Sequence, residues 1–191
     1  MALTERFGLD KPVFLNLEAG TNPFDSQYFA YLGALSRGDL GTSYAFRDQP
    51  VVDLIGRALV NTIWLVLPAQ ILAILAGSIL GLIAAWRRGT GLDVVSLTFS
   101  LFMWSLPTFF LAIILLVAGS TYFDLPTAGR VTVGASYASF WEEAWDILRH
   151  LAMPTLAFTL VLLGEYMLIM RSSVLDVFSE DYILTAKAKG L

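Results

Sequence analysis

Cysteine is absent from the 191 residues, and histidine occurs once, at His150. The first absence excludes a disulfide framework, a thiol nucleophile and a thiolate-bound metal. The second excludes a multi-histidine metal site within this chain. Charge is scarce as well: 15% of the residues are Asp, Glu, Lys or Arg, where a soluble domain has about a quarter. Twelve Lys/Arg against sixteen Asp/Glu leave a net charge of −4, without the clustered basic excess that a nucleic-acid partner requires. No P-loop signature occurs, so this chain does not hydrolyse ATP by itself. No nucleophile–base pair or ligand cluster is visible, and an intramembrane enzyme using Glu165, Asp93 or His150 would lack paired groups at catalytic spacing. The residues therefore assign no catalytic residue, no metal and no cofactor.

What is present is apolar. Hydrophobic residues make up 57% of the chain and the mean hydropathy is +0.68, which points to an all-α, polytopic helical membrane protein. Between Arg57 and Arg87, 29 consecutive positions carry no charge, more than the ~20 apolar residues that cross a bilayer core. A second uncharged stretch, 94–123, has 30 positions, and a third, 151–170, has 20 and is interrupted only by Glu165. Spans are thus expected at about 58–86, 94–123 and 151–170. In the first, Gly77, Ser78 and Gly81 let another helix approach closely, Pro68 is expected to kink the helix, and Asn61, Thr62 and Gln70 need partners away from lipid. In the second, Pro107 frees a carbonyl one turn back, which reads first as a passive kink filled by packing and otherwise as a break of the kind found beside translocation paths. Pro154 falls in the first turn of the third, where proline is tolerated. Glu165 is costly if buried unpaired, but it is close enough to Arg171 to reach headgroups or a partner subunit.

Residues 1–57 form a polar segment with an amphipathic helix near 24–36, where Phe24, Tyr28, Phe29, Leu32 and Leu35 recur at helical spacing. Gly38-Asp39-Leu40-Gly41-Thr42-Ser43 reads as a turn. Residues 124–150 form a loop whose Phe140, Trp141 and Trp145 suggest a short helix in the headgroup region, with His150 as an interfacial or capping residue. The last dozen residues read as a short helix capped by Ser179, with Glu180 and Asp181 at its positive end and Lys187 and Lys189 at its negative end. Gly190 marks the exit. A helix this short is marginal in water, so it either docks on something or is an ordinary surface helix at a chain end.

Loop 87–93 and tail 171–191 together hold five Lys/Arg in 28 residues, against seven in 84 for 1–57 with 124–150. The positive-inside rule then makes 171–191 cytoplasmic and 1–57 external. Within residues 1–57 no signal peptide is readable, since Glu5 and Arg6 arrive before any apolar run, so an earlier span is expected upstream of Met1.

The chain resembles the membrane (permease) subunit of ABC importers of the dipeptide/oligopeptide class. The match is carried by Gly38-Asp39-Leu40-Gly41-Thr42-Ser43, the Ser105-Leu106-Pro107 break, Leu125-Pro126 with Ala128-Gly129, and Arg149-His150-Leu151 with Pro154. Its most specific part is Arg171-Ser172-Ser173, then Asp181-Tyr182 and Thr185-Ala186-Lys187-Ala188-Lys189-Gly190-Leu191, similar to the cytoplasmic "EAA" loop. At the Glu-Ala-Ala places stand Leu184, Thr185 and Ala186, so only Ala186 and Gly190 match the general motif strictly.

The resemblance implies a type I importer permease fold, with three of about six spans present. Residues 58–191 would be the permease core with a coupling loop at 171–191, in the plasma (inner) membrane of a prokaryote. Asp181, Tyr182, Thr185, Ala186, Lys187, Ala188, Lys189 and Gly190 would couple to ATP-hydrolysing subunits. Asn61, Gln70, Pro107 and Glu165 are the candidates for the translocation path. The implied partners are two ATP-binding subunits, a second homologous permease, an external solute-binding protein and membrane lipid, moving peptides or similar small solutes. The alternative is a non-transporting membrane scaffold that binds a soluble cytoplasmic partner.

Overall fold

The computed structural model describes residues 10–18, 20–43, 45–46 and 49–190. Arg6 and Arg47 of the charge comparison and Leu191 of the terminal motif lie outside these. The chain divides into two compact units, residues 1–60 and 61–191.

The first unit holds α1 (Gln27–Leu35). It starts later than the 24–36 expected, because Ser26 is extended (φ −141°, ψ 165°) and its side chain accepts from the Phe29 N–H. Phe24, outside the helix, still packs edge-on against Phe29 with ring centres 4.9 Å apart. The turn at 38–43 is present: the Asp39 carboxylate accepts the Gly41 N–H at 2.8 Å. Thr42 then makes an isolated antiparallel bridge with Pro50.

The membrane helices are α2 (Val51–Trp86), α3 (Gly91–Ser105), α4 (Thr108–Phe123) and α5 (Phe140–Phe178). α6 (Asp181–Ala188) follows. α2 continues through Pro68. Helices α2 and α5 are each long and apolar enough to cross a membrane, and α3 with α4 forms a third candidate that bends by 100°. That bend is sharper than the kink expected at Pro107. Leu106 precedes a proline, which disfavours the helical basin, and here it is extended (φ −75°, ψ 132°). α3 therefore ends at Ser105, whose hydroxyl donates to the Phe102 carbonyl at 2.9 Å.

A ladder of contacts shows that the bent pair crosses instead of turning back. Asp93 at the start of α3 meets Arg171. Ser100 meets Met167, and Gly164 lies against the Ser100 carbonyl. Gly119 in α4 meets Met153, and Arg149 donates to the carbonyl of Asp124 just after α4. The order is monotonic and antiparallel along α5. From Arg171 to Arg149, 22 residues at 1.5 Å each cover roughly 33 Å, close to the ~30 Å of a hydrocarbon core. α2 runs parallel to α5: the Thr159 hydroxyl lies 3.4 Å from the Ala69 carbonyl, Gly77 faces Leu163 and Tyr166, and Gly81 faces Met167 and Arg171.

Small residues permit this packing. Ala69, Ala73, Gly77 and Gly81, spaced four apart on α2, are all buried. A Cβ on Gly77 would lie 2.9 Å from the Leu163 carbonyl oxygen, and one on Gly81 would lie 2.6 Å from that of Met167. In a bilayer, where lipid tails are as apolar as leucine, such close backbone approach is a main source of helix association.

Two further expectations change. The aromatic segment 140–145 is no separate interfacial helix: it forms the first turns of α5, which runs unbroken for 39 residues. Nothing in 146–150 breaks a helix, so the end of the apolar run is not the end of the helix. Pro154 is accordingly inside α5 and not in a first turn. Ser179 does not cap α6. It is the C-cap of α5, its hydroxyl donating to the Asp176 carbonyl at 2.6 Å, and Glu180 takes the N-cap place without a side-chain bond.

Candidate functional site

Two ends of the bundle carry polar structure. At the Arg149 end, Asp146 in the second turn of α5, ahead of the apolar run, collects three donors. Tyr137 Oη lies at 2.6 Å, the Thr132 N–H at 2.7 Å and Thr132 Oγ1 at 2.8 Å. The Tyr137 hydroxyl first, and then the Thr132 N–H, pull the Asp146 carboxyl down to about 2; the same contact raises the Tyr137 phenol. His150 is buried, with Nδ1 2.8 Å from the Asp146 carbonyl. These bonds fasten the loop before α5 to the helix. A depressed carboxyl contributes order that is complete above its unfolded value near 4 and is lost as pH falls toward about 2. Asp146→Ala should therefore speed hydrogen exchange of the Thr132 amide about tenfold at pH 7, and the unsubstituted protein, corrected for the intrinsic pH dependence of exchange, should begin to lose protection below about pH 4 and reach the same acceleration only as pH falls to about 2. Equal exchange in both proteins at pH 7 would refute this role.

At the Arg171 end, the Asp93 carboxylate receives Arg171 Nε at 2.7 Å and Nη2 at 2.9 Å. It also accepts the Gly89 N–H at 2.9 Å. Seven residues beyond Arg171, α5 ends at Phe178, and α6 follows after Ser179 and Glu180. In α6, Asp181 stands in the first turn and Lys187 in the last, matching the helix dipole. The Thr185 hydroxyl donates to the Asp181 carbonyl at 2.8 Å. Tyr182, Thr185, Lys187, Ala188 and Lys189 are exposed and Ala186 is half-buried. Gly190 has φ +80°, the left-handed value that ends a helix most cheaply with glycine.

The four path candidates have different surroundings. Gln70 donates to the Tyr166 hydroxyl between α2 and α5. Asn61 lies 3.4 Å from Arg130 Nη1. Pro107 is exposed at the bend, and Glu165 is exposed on α5, between Gly164, which meets α3, and Tyr166, which meets α2. A cavity of about 530 Å³ lined by Trp64, Pro68, Leu72, Leu148, Met153 and Thr159 contains none of them.

The spacing of Thr90 and Asp93 signals a helix start of the capping-box kind, but nothing local in the sequence points from Asp93 to Arg171. Tyr166 and Asp146 are likewise polar anchors that sequence reasoning passed over.

Residues 77–191, which contain α3 to α6 and the Arg171 end, match the family described as the binding-protein-dependent transport system inner membrane component. The chain belongs to that family. It is 32% identical over 192 residues to the inner membrane ABC transporter permease protein YejB of Escherichia coli O157:H7, covering 99% of this chain and 50% of that protein. It is 31% identical to the oligopeptide transport system permease protein OppB of Haemophilus influenzae, covering 94% of this chain and 56% of that protein. It is 30% identical to the dipeptide transport system permease protein DppB of Bacillus subtilis, covering 98% of this chain and 57% of that protein. The chain thus spans about half the length of the curated relatives it matches. This permease segment is a multi-pass inner-membrane protein with the fold of ABC importer permeases. Its family is that of a transport system component.

Proposed function

We propose that this chain forms part of the translocation pathway of an ATP-driven importer of peptides or similar small solutes, and that α6 couples it to ATP-binding subunits. The carrying observation is the placement of α6. It is a short exposed helix at the end of the longest membrane helix, beyond the bundle end that holds Arg87, Arg88 and Arg171. Basic residues concentrate on the cytoplasmic side, so 171–191 is cytoplasmic in this reading and 1–57 is external. Asp181, Tyr182, Thr185, Ala186, Lys187, Ala188, Lys189 and Gly190 would meet the ATP-binding subunits. A second homologous permease and an external solute-binding protein would complete the assembly. Residues 1–57 would be an external segment, and 58–191 the permease core. The relatives named for oligopeptide and dipeptide transport support a peptide-class solute.

The test uses the full-length permease with its partners in proteoliposomes. Gly190→Pro removes the left-handed exit and should lower ATP-dependent peptide uptake about tenfold or more, with the permease still in the membrane. Normal uptake by this variant would overturn the coupling assignment. Co-purification with a soluble partner other than an ATPase would favour the scaffold reading.

A further inference from the structure

We propose that Asp93 and Arg171 are positioning residues, a joint through which movement of α6 is passed from α5 to the broken span α3–α4. This rests on the coupling role proposed for α6. The two residues are 78 apart in sequence and joined by two parallel hydrogen bonds, an arrangement that fixes orientation as well as distance. The side chains are only 5% and 19% exposed, so water competes poorly for them. Asp93 belongs to the first turn of α3, and its second oxygen also holds the Gly89 N–H of the α2–α3 turn. On the third side Gly81 of α2 lies against the backbone N of Arg171. Three membrane helices therefore meet at this level.

Below it, α5 continues as helix for seven residues, to Phe178, and then delivers α6. α6 packs on α5. A push on α6 can thus reach α3 along α5, and on that route Asp93–Arg171 is the polar fastening nearest α6 among the described residues. Above it, α3 is held to α5 by the Ser100–Met167 contact and the Gly164 approach, and it ends at the bend at Leu106–Pro107, where the direction changes by 100°. A rigid fastening at the foot of α3 is what makes a tilt of α5 appear at that bend. A fastening that served stability alone would change how much protein survives heating, and leave the work done per ATP untouched.

The experiment measures peptide imported per ATP hydrolysed by the complete transporter in proteoliposomes, with Gly190→Pro run in parallel. Asp93→Asn keeps the acceptor for Gly89 and the side-chain shape but removes the charge. Arg171→Lys keeps the charge but loses the paired bonds. Each should lower the uptake-to-ATP ratio about fivefold or more, with ATP hydrolysis retained. This segment has no cysteine, so in a transporter whose other cysteines are replaced, Asp93→Cys with Arg171→Cys can be bridged by a short bifunctional thiol reagent, and bridging should restore the ratio. An unchanged ratio in Asp93→Asn and Arg171→Lys overturns the joint. If Asp93→Asn fails to accumulate, Arg171→Lys and the bridged pair decide, and no restoration on bridging overturns it. If Gly190→Pro transports normally, the coupling role of α6 fails; if only Gly190→Pro uncouples, that role stands and the joint does not.

Discussion

Gly81→Val should leave little assembled protein in the membrane and lower the midpoint of thermal aggregation in detergent by many degrees. The reason is geometric. A Cβ at Gly81 would sit 2.6 Å from the Met167 carbonyl oxygen, 2.8 Å from Met170 Cβ and 3.1 Å from the backbone N of Arg171. Two of these three atoms belong to helix backbone, so no rotamer change relieves the overlap and α2 must move away from α5. Overpacking in a filled core costs about 1–3 kcal/mol when side chains can shift; here the whole interface from Ala69 to Gly81 is pried open. Gly81→Ala should be milder, because the ~1 kcal/mol gain in helix propensity over glycine opposes the overlap. Gly56 supplies the control. It lies in the same helix with nothing within 4 Å of an added Cβ, so Gly56→Ala should be neutral or slightly stabilising. A Gly81→Val protein with unaltered thermal behaviour would mean that α2 and α5 do not pack as described.

Ala186→Trp in the full-length permease should reduce ATP-dependent uptake roughly tenfold or more, equivalent to about 1.4 kcal/mol or more of lost coupling. The permease itself should reach the membrane in normal amount, because α6 follows the end of α5 and is largely exposed. Ala186 is half-buried, on the side that Tyr182 shares one turn earlier. An indole there enlarges the face with which α6 would enter a groove. The informative comparison is between uptake and retention of the ATP-binding subunits on purification. Loss of both is the expected outcome, and full uptake would remove α6 from the coupling role.

The broad architecture was legible because it follows from composition. Two long uncharged stretches and a third interrupted only by Glu165 dictate helices in a bilayer, and each maps to a helix or a bent pair. Finer features were legible only when local forces set them. The turn at 38–43 rests on Asp39 and its glycines, and Gly190 has the positive φ its position called for. Pro107 was visible as a disturbance but not as a 100° bend, since how far a broken helix opens depends on what its two arms pack against. Ser179 was misplaced because α5 overruns its apolar stretch by eight residues, so the serine that should start one helix instead closes another. The Ala69–Ala73–Gly77–Gly81 stripe was half seen: the glycines stood out, while alanines at the same spacing look like ordinary helix formers. The Asp93–Arg171 pair lay beyond sequence reasoning, because nothing local encodes a partner 78 residues away.

α5 is the helix on which α2, α3 and α4 all lay their small or polar contact residues, and it is also the last of these to be synthesised. While the ribosome is still making residues 61–139, the alanine–glycine stripe of α2 and the carboxylate of Asp93 have no counterpart within this segment. Insertion of the early spans and their association are therefore separate events in time, in keeping with helices that enter a bilayer first and find one another afterwards. The segment cannot close upon itself until chain growth has passed Arg171.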